Sequence, residues 1–166
     1  MTRKPIPAAE LRTPHARLSE APLHDLVGYQ LAQAKIVTDQ VFDERVQRTG
    51  LRRVEFTILA LLRANTGPSA RQLARALAVT PPNIAIWLEK LEERRLVTRE
   101  RSPKDGRVQH IHLTDAGRLL VDRSAQSLLD GERKALAALS HAERAMLVEL
   151  LHKVALLRRQ PDVAAR

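Results

Sequence analysis

The stretch SARQLARALAVTPPNIAIWLEKL, residues 69–91, decides the fold. Ser69 and Gln72, three residues on, form a capping box, in which each side chain satisfies a backbone N–H that the start of a helix leaves without a partner. That helix is brief and ends near Leu77 to Val79. Thr80 caps the next one, and Pro81 fits its first turn, where a missing N–H costs nothing. Ile84, Trp87, Leu88 and Leu91 then recur at i, i+3, i+4 and i+7. This spacing buries one face and leaves Pro82, Asn83, Ile86, Glu89 and Lys90 pointing away. Two helices joined by a turn of about three residues make a helix-turn-helix.

Upstream, Val54, Ile58, Leu61 and Leu62 share one face of a helix, with Phe56 and Leu59 beside it, that closes near Asn65-Thr66-Gly67-Pro68. Downstream, Leu96 to Arg101 and Arg107 to Leu113 read as short strands around Ser102-Pro103-Lys104-Asp105-Gly106, a hairpin with a basic tip. Residues 51–113 are thus expected to form a winged helix-turn-helix reading head. Residues 1–21 carry Pro5, Pro7 and Pro14 among charges, the pattern of an N-terminal arm that folds only against something else. Leu23, Val27, Leu31, Ala34, Val37 and Val41 then predict a long first helix to about Arg48, stopped by Gly50. After the wing, Thr114 caps a helix running through Leu120, Val121 and Leu128. Ser140 with Glu143 opens another, bearing Leu147, Leu150, Leu151, Val154 and Leu157. The expected fold is mainly α with a small β-hairpin wing, and its helices at 22–50 and 114–160 lie outside the reading head.

Composition narrows the function. With 166 residues, 44% hydrophobic and only 2% aromatic (Phe42, Phe56, Tyr29, Trp87), the core must be built from Leu, Val, Ile and Ala. The net charge is +9, and residues 51–113 hold twelve basic against six acidic side chains, so +6 of it falls on the reading head. Such a surface attracts a polyanion, nucleic acid first. No cysteine is present, which excludes disulfides, thiol chemistry and cysteine-bearing zinc sites. Met1 to Ala9 lacks an apolar signal region, and no run approaches the roughly 18 apolar residues that span a bilayer, so no membrane partner and a cytoplasmic location are expected. No Gly-rich phosphate loop, Gly-x-Ser-x-Gly elbow or His-Glu-x-x-His helix occurs. The expectation is a binding protein, not an enzyme, with no cofactor.

In a major groove, Asn83 would hydrogen-bond base edges, Ile86 would meet a thymine methyl and Lys90 a phosphate. Arg107 at the wing tip suits the narrow minor groove, with Asp105 orienting its guanidinium. Ser69, Thr80, Pro82, Arg99 and Lys104 complete the DNA-contacting candidates. A non-specific architectural DNA binder would use the same positive face. A metal-responsive regulator is the other alternative, because His110 and His112 share one face of a strand, although no nearby Asp or Glu completes a site there.

The residues Gly50-Leu51-Arg52-Arg53-Val54-Glu55-Phe56-Thr57-Ile58-Leu59 resemble the start of the second helix in MarR-type regulators. Leu73-Ala74, Leu77, Thr80, Asn83-Ile84, Leu91-Glu92 and Leu96-Val97-Thr98-Arg99 come next, in the family's order. The most specific match spans the wing and the opening of the helix after it, at Asp105, Arg107, Ile111, Leu113, Thr114 and Gly117. The resemblance covers roughly residues 23–157. One departure is Arg95, where the family usually has Gly; in a left-handed backbone an arginine there costs on the order of 1 kcal/mol. The resemblance implies a homodimer whose interface is built from 22–50 and 114–160, bound to a pseudo-palindromic duplex operator with half-site centres roughly 10 base pairs apart. It also implies a repressor released by a small aromatic or heteroaromatic carboxylate, such as a hydroxybenzoate or hydroxynicotinate. His15, Arg17, His24 and Tyr29, near the start of the first helix, offer a cation, imidazoles and a phenol for such an acid.

Overall fold

The computed structural model describes residues 12–101 and 109–158, which form six α-helices and one antiparallel hairpin. In chain order these are α1 (Val27–Arg45), α2 (Arg53–Ala64), α3 (Ala70–Leu77), α4 (Pro81–Glu93), β1 (Val97–Arg101), β2 (Gln109–Leu113), α5 (Asp115–Ala135) and α6 (His141–Leu156). A 3-10 turn, Gln47–Thr49, lies between α1 and α2. The chain divides after Gln40 into two compact units.

In the first unit, Arg12 and Ser19 bridge a small turn of their own. Its Thr13 N–H donates to Leu18 O at 2.9 Å, and Thr13 Oγ1 accepts from Leu18 N–H at 3.0 Å. The first helix begins at Val27, later than the apolar spacing predicts. Ahead of it the chain turns twice, with Leu23 N–H on Glu20 O and Leu26 N–H on Leu23 O.

The second unit starts inside α1, whose last turn packs with the reading head. Phe42 is buried, meets the Phe56 ring edge-on at 6.0 Å, and lies 4.2 Å beneath the Arg53 guanidinium. The helix ends at Arg45 and not near Arg48, because Val46 turns fully into the core and a 3-10 turn follows. Gly50, at φ 73°, closes that turn by donating its N–H to Gln47 O. Only glycine adopts this conformation without steric cost.

One core joins the rest. Ile58, Leu59 and Leu62 of α2, Leu73 and Ala74 of α3, and Ile84, Leu88 and Leu91 of α4 are buried with Val97, Ile111, Leu113 and Val121. The buried stripe of α2 is rotated from the expected one, since Val54 and Leu61 are half-buried whereas Glu55 and Leu59 are covered. The hairpin pairs Val97 with Leu113 and Arg101 with Gln109. A third segment joins it: Ser69 bridges His110, and Ile111 N–H donates to Pro68 O at 3.1 Å. The wing is thereby hung from the residue that caps α3.

Helix α5 starts where the hairpin ends. Thr114 Oγ1 accepts from Gly117 N–H at 3.0 Å and donates to Arg95 O at 2.7 Å. A methyl group at Gly117 would sit 2.0 Å from Leu96 O, so only glycine lets α5 approach the base of the wing this closely. Ser140 and Glu143 form the expected capping box on α6, yet no residue of α6 is buried. Its expected apolar stripe, Leu147, Leu150, Leu151, Val154 and Leu157, is exposed. No described helix is long and apolar enough to cross a membrane.

Candidate nucleic-acid interface

The candidate interface is built on α3 and α4. Ser69 caps α3 as its sequence requires, with Gln72 N–H on its Oγ at 3.3 Å and its own N–H on Gln72 Oε1 at 2.8 Å. Ala78, left-handed at φ 54°, turns the chain from α3 toward α4. Thr80 is the N-cap of α4, but its hydroxyl makes no capping bond. Pro81 and Pro82 occupy the first two helical positions and carry no N–H, so two of the donors a helix start normally exposes are missing.

Burial then decides which side chains face outward. Ile84, Leu88 and Leu91 are buried and Trp87 is half-buried against the core. Pro82, Asn83, Ala85, Ile86 and Glu89 are exposed; Lys90, expected on the same face, is half-buried. Arg71 and Arg75 of α3 and Arg95 just beyond α4 add exposed cations. Arg95 has φ 56°, the left-handed conformation that the family's glycine suggests, and its N–H donates to Glu92 O at 2.8 Å. Arg99, another DNA candidate, is engaged by Glu92, Nε to Oε2 at 3.0 Å, so its charge is partly neutralised. Lys104, Asp105 and Arg107 lie outside the described residues.

Three relationships in the second unit join residues far apart in sequence, so spacing gives no sign of them. Arg94 donates from Nη1 to Gly50 O at 2.9 Å and from Nη2 to Thr49 O at 3.1 Å, and stands 3.8 Å from the buried Glu55 carboxylate. His110 Nδ1 lies 2.6 Å from Gly67 O; a carbonyl only accepts, so Nδ1 carries the proton. His112 Nε2 lies 3.7 Å from Glu100 Oε2, so, against the expectation from sequence, this histidine does have an acidic neighbour, brought in across the hairpin. Among the described residues no three His, Asp or Glu side chains gather as a metal ion would need.

The effector candidates sit in the first unit. His15 and Arg17 are exposed and His24 is half-buried. Tyr29 donates its hydroxyl to Glu20 Oε1 at 2.9 Å, and this bond holds the phenol above its ordinary value of 10.0. None of the four hydrogen-bonds another.

Comparison with known proteins agrees with this geometry. The model of the MarR family matches residues 49–108. The HTH-type transcriptional regulator PecS of Dickeya dadantii is 30% identical over 127 residues, which are 75% of this chain and 76% of PecS. The transcriptional repressor CouR, solved on a 23-mer DNA duplex, is 32% identical at a TM-score of 0.77, over 83% of this chain and 98% of CouR. BpsR of Bordetella bronchiseptica, whose DNA binding is regulated by 6-hydroxynicotinic acid, is 26% identical at a TM-score of 0.72, over 80% and 95%.

Proposed function

This chain belongs to the MarR family of DNA-binding transcriptional regulators, and on that premise we propose that it is a repressor which grips a pseudo-palindromic operator as a homodimer and releases it when a small aromatic or heteroaromatic carboxylate binds. The observation that carries the reading is the outward face of α4, left free by a core that uses only its other face, in a unit that also exposes Arg71, Arg75 and Arg95. Asn83 reads base edges there, Ser69, Thr80, Lys90 and Arg99 meet the backbone, and Lys104, Asp105 and Arg107 extend the contact into the minor groove. Its work is binding in the cytoplasm, without catalysis or a cofactor.

Dimerisation is supported by α6, whose Leu147, Leu150, Leu151 and Val154 are all exposed. A helix with such a surface needs a partner, and a second copy related by a two-fold axis supplies one. For the effector, the regulation of BpsR by 6-hydroxynicotinic acid favours the hydroxynicotinate class, with hydroxybenzoates next. Arg17, with His15 and His24, is assigned to the carboxylate and Tyr29 to the ring. Glu20 now holds the Tyr29 hydroxyl, so an anionic ligand has to displace it. Ligand binding need only disfavour the DNA-binding conformer, and about 1.4 kcal/mol of coupling weakens operator binding tenfold.

Footprinting on a selected duplex tests this function. Two protected half-sites about 10 base pairs apart, lost on adding 6-hydroxynicotinate or a hydroxybenzoate, are expected. A single asymmetric half-site bound by monomers contradicts the dimer, and protection that no such acid disturbs contradicts the effector class.

A further inference from the structure

On a helical surface, residues three and four apart are neighbours. Pro82 therefore neighbours both Ala85 and Ile86 on the outer face of α4, and the three positions form one apolar stretch of that face. All are exposed, Ile86 by 49%. The core has no use for them, because Ile84, Leu88 and Leu91 already bury the opposite face. Asn83 and Lys90 border Ile86 on one side and Glu89 closes the patch at the other end, so polar groups rim an apolar centre. In the same turn, Pro81 and Pro82 remove two backbone donors. No arginine or lysine stands in the first two turns of α4, so the bidentate contact by which a cation reads guanine is absent from the centre of this surface.

Resting on the proposed regulator function, we infer that the recognition helix reads the 5-methyl groups of pyrimidines: Ile86, flanked by Pro82 and Ala85, seats a thymine methyl in the major groove, and Asn83 fixes the register on a neighbouring adenine. The occupant is duplex DNA because the patch belongs to a chain of net charge +9 that also exposes Arg71 and Arg75 on α3 and Arg95 just beyond α4, a charge that suits phosphates and repels a basic protein partner. A thymine is the one natural base that offers an apolar group to the major groove. The half-site centre is then expected to be rich in A·T pairs, with thymines opposite Ile86.

The test uses the full-length protein and the duplex it enriches from a random library. Each thymine of a half-site is replaced in turn by deoxyuridine, which removes only the methyl group. At one or two positions wild type should bind about fourfold more weakly per methyl, the worth of one buried carbon. Ile86→Ala should show no such penalty at those positions. Because Ile86 is exposed, this variant should melt like wild type, and a melting scan checks that. At the same positions a cytosine should bind poorly, and 5-methylcytosine should recover part of the loss. Uracil tolerated at every thymine, or an undiminished uracil penalty in Ile86→Ala, overturns the inference while leaving the regulator function standing. A library that yields no enriched motif overturns both.

Discussion

The guanidinium of Arg94 lies 3.8 Å from the buried carboxylate of Glu55. Glu55 also accepts the Arg52 N–H at 2.9 Å, at the start of α2, while Arg94 caps the carbonyls of Thr49 and Gly50. The C-terminal end of α4 is thus fastened to the α1–α2 junction by a side chain whose partners all lie there.

Arg94→Ala should therefore lower stability by about 1–3 kcal/mol, because it leaves a buried charge and two carbonyls with fewer partners. Urea unfolding monitored at Trp87 measures it. An unchanged midpoint would mean that the fastening contributes nothing.

Arg95 and Ala78 both hold left-handed backbones, at φ 56° and 54°. Arg95→Gly and Ala78→Gly should each raise stability by about 1 kcal/mol, since glycine enters this region without the Cβ clash. A lower melting temperature in either variant contradicts the turn geometry on one side of α4.

Much of this architecture is legible in local sequence. The boxes Ser69/Gln72 and Ser140/Glu143 mark helix starts because a cap is a contact between residues within one turn, and Pro81 marks another because the first helical position needs no N–H, although Thr80 before it makes no capping bond. The ends of α1 are not legible in this way. Leu23 continues the apolar spacing through a region that turns before the helix starts, since residues three or four apart share a side in both, and the spacing gives no sign that a 3-10 turn replaces the helix after Arg45. The outward set on α4 follows from its period. Its pose does not, because Arg94 with Glu55, Arg99 with Glu92, and His110 with Gly67 come together only in the folded chain.

Gly117→Ala should destabilise by about 1–3 kcal/mol, the range for overpacking, because its methyl would fall on Leu96 O and push α5 away from the wing. Thermal unfolding reads the loss. Wild-type stability in this variant would show that α5 does not approach Leu96, just before β1, as described.

Glu143 is held below its ordinary value of 4.5 by the hydroxyl and the backbone N–H of Ser140. A carboxyl whose folded value is depressed stabilises above its unfolded value and loses that effect as pH falls past it. Helicity should accordingly drop in acid below about pH 4.5 with a component that Ser140→Ala removes. Superimposable acid titrations of variant and wild type, followed by circular dichroism, contradict the cap.

Replacing Leu147 and Leu151 together by glutamate should abolish dimers and weaken operator binding, since both side chains are exposed on α6 and touch nothing the protomer's core requires. Sedimentation equilibrium distinguishes the outcomes. A dimer that survives both changes places the interface elsewhere.

The most direct test of whether the outer face of α4 recognises sequence is the affinity for the enriched duplex divided by that for random DNA of equal length, at one fixed salt concentration. Phosphate attraction is the same for both, so a ratio above about 10³ is expected if base edges are read. A ratio near one would mean that the positive surface merely coats DNA, and specific recognition by Asn83 and Ile86 would be wrong.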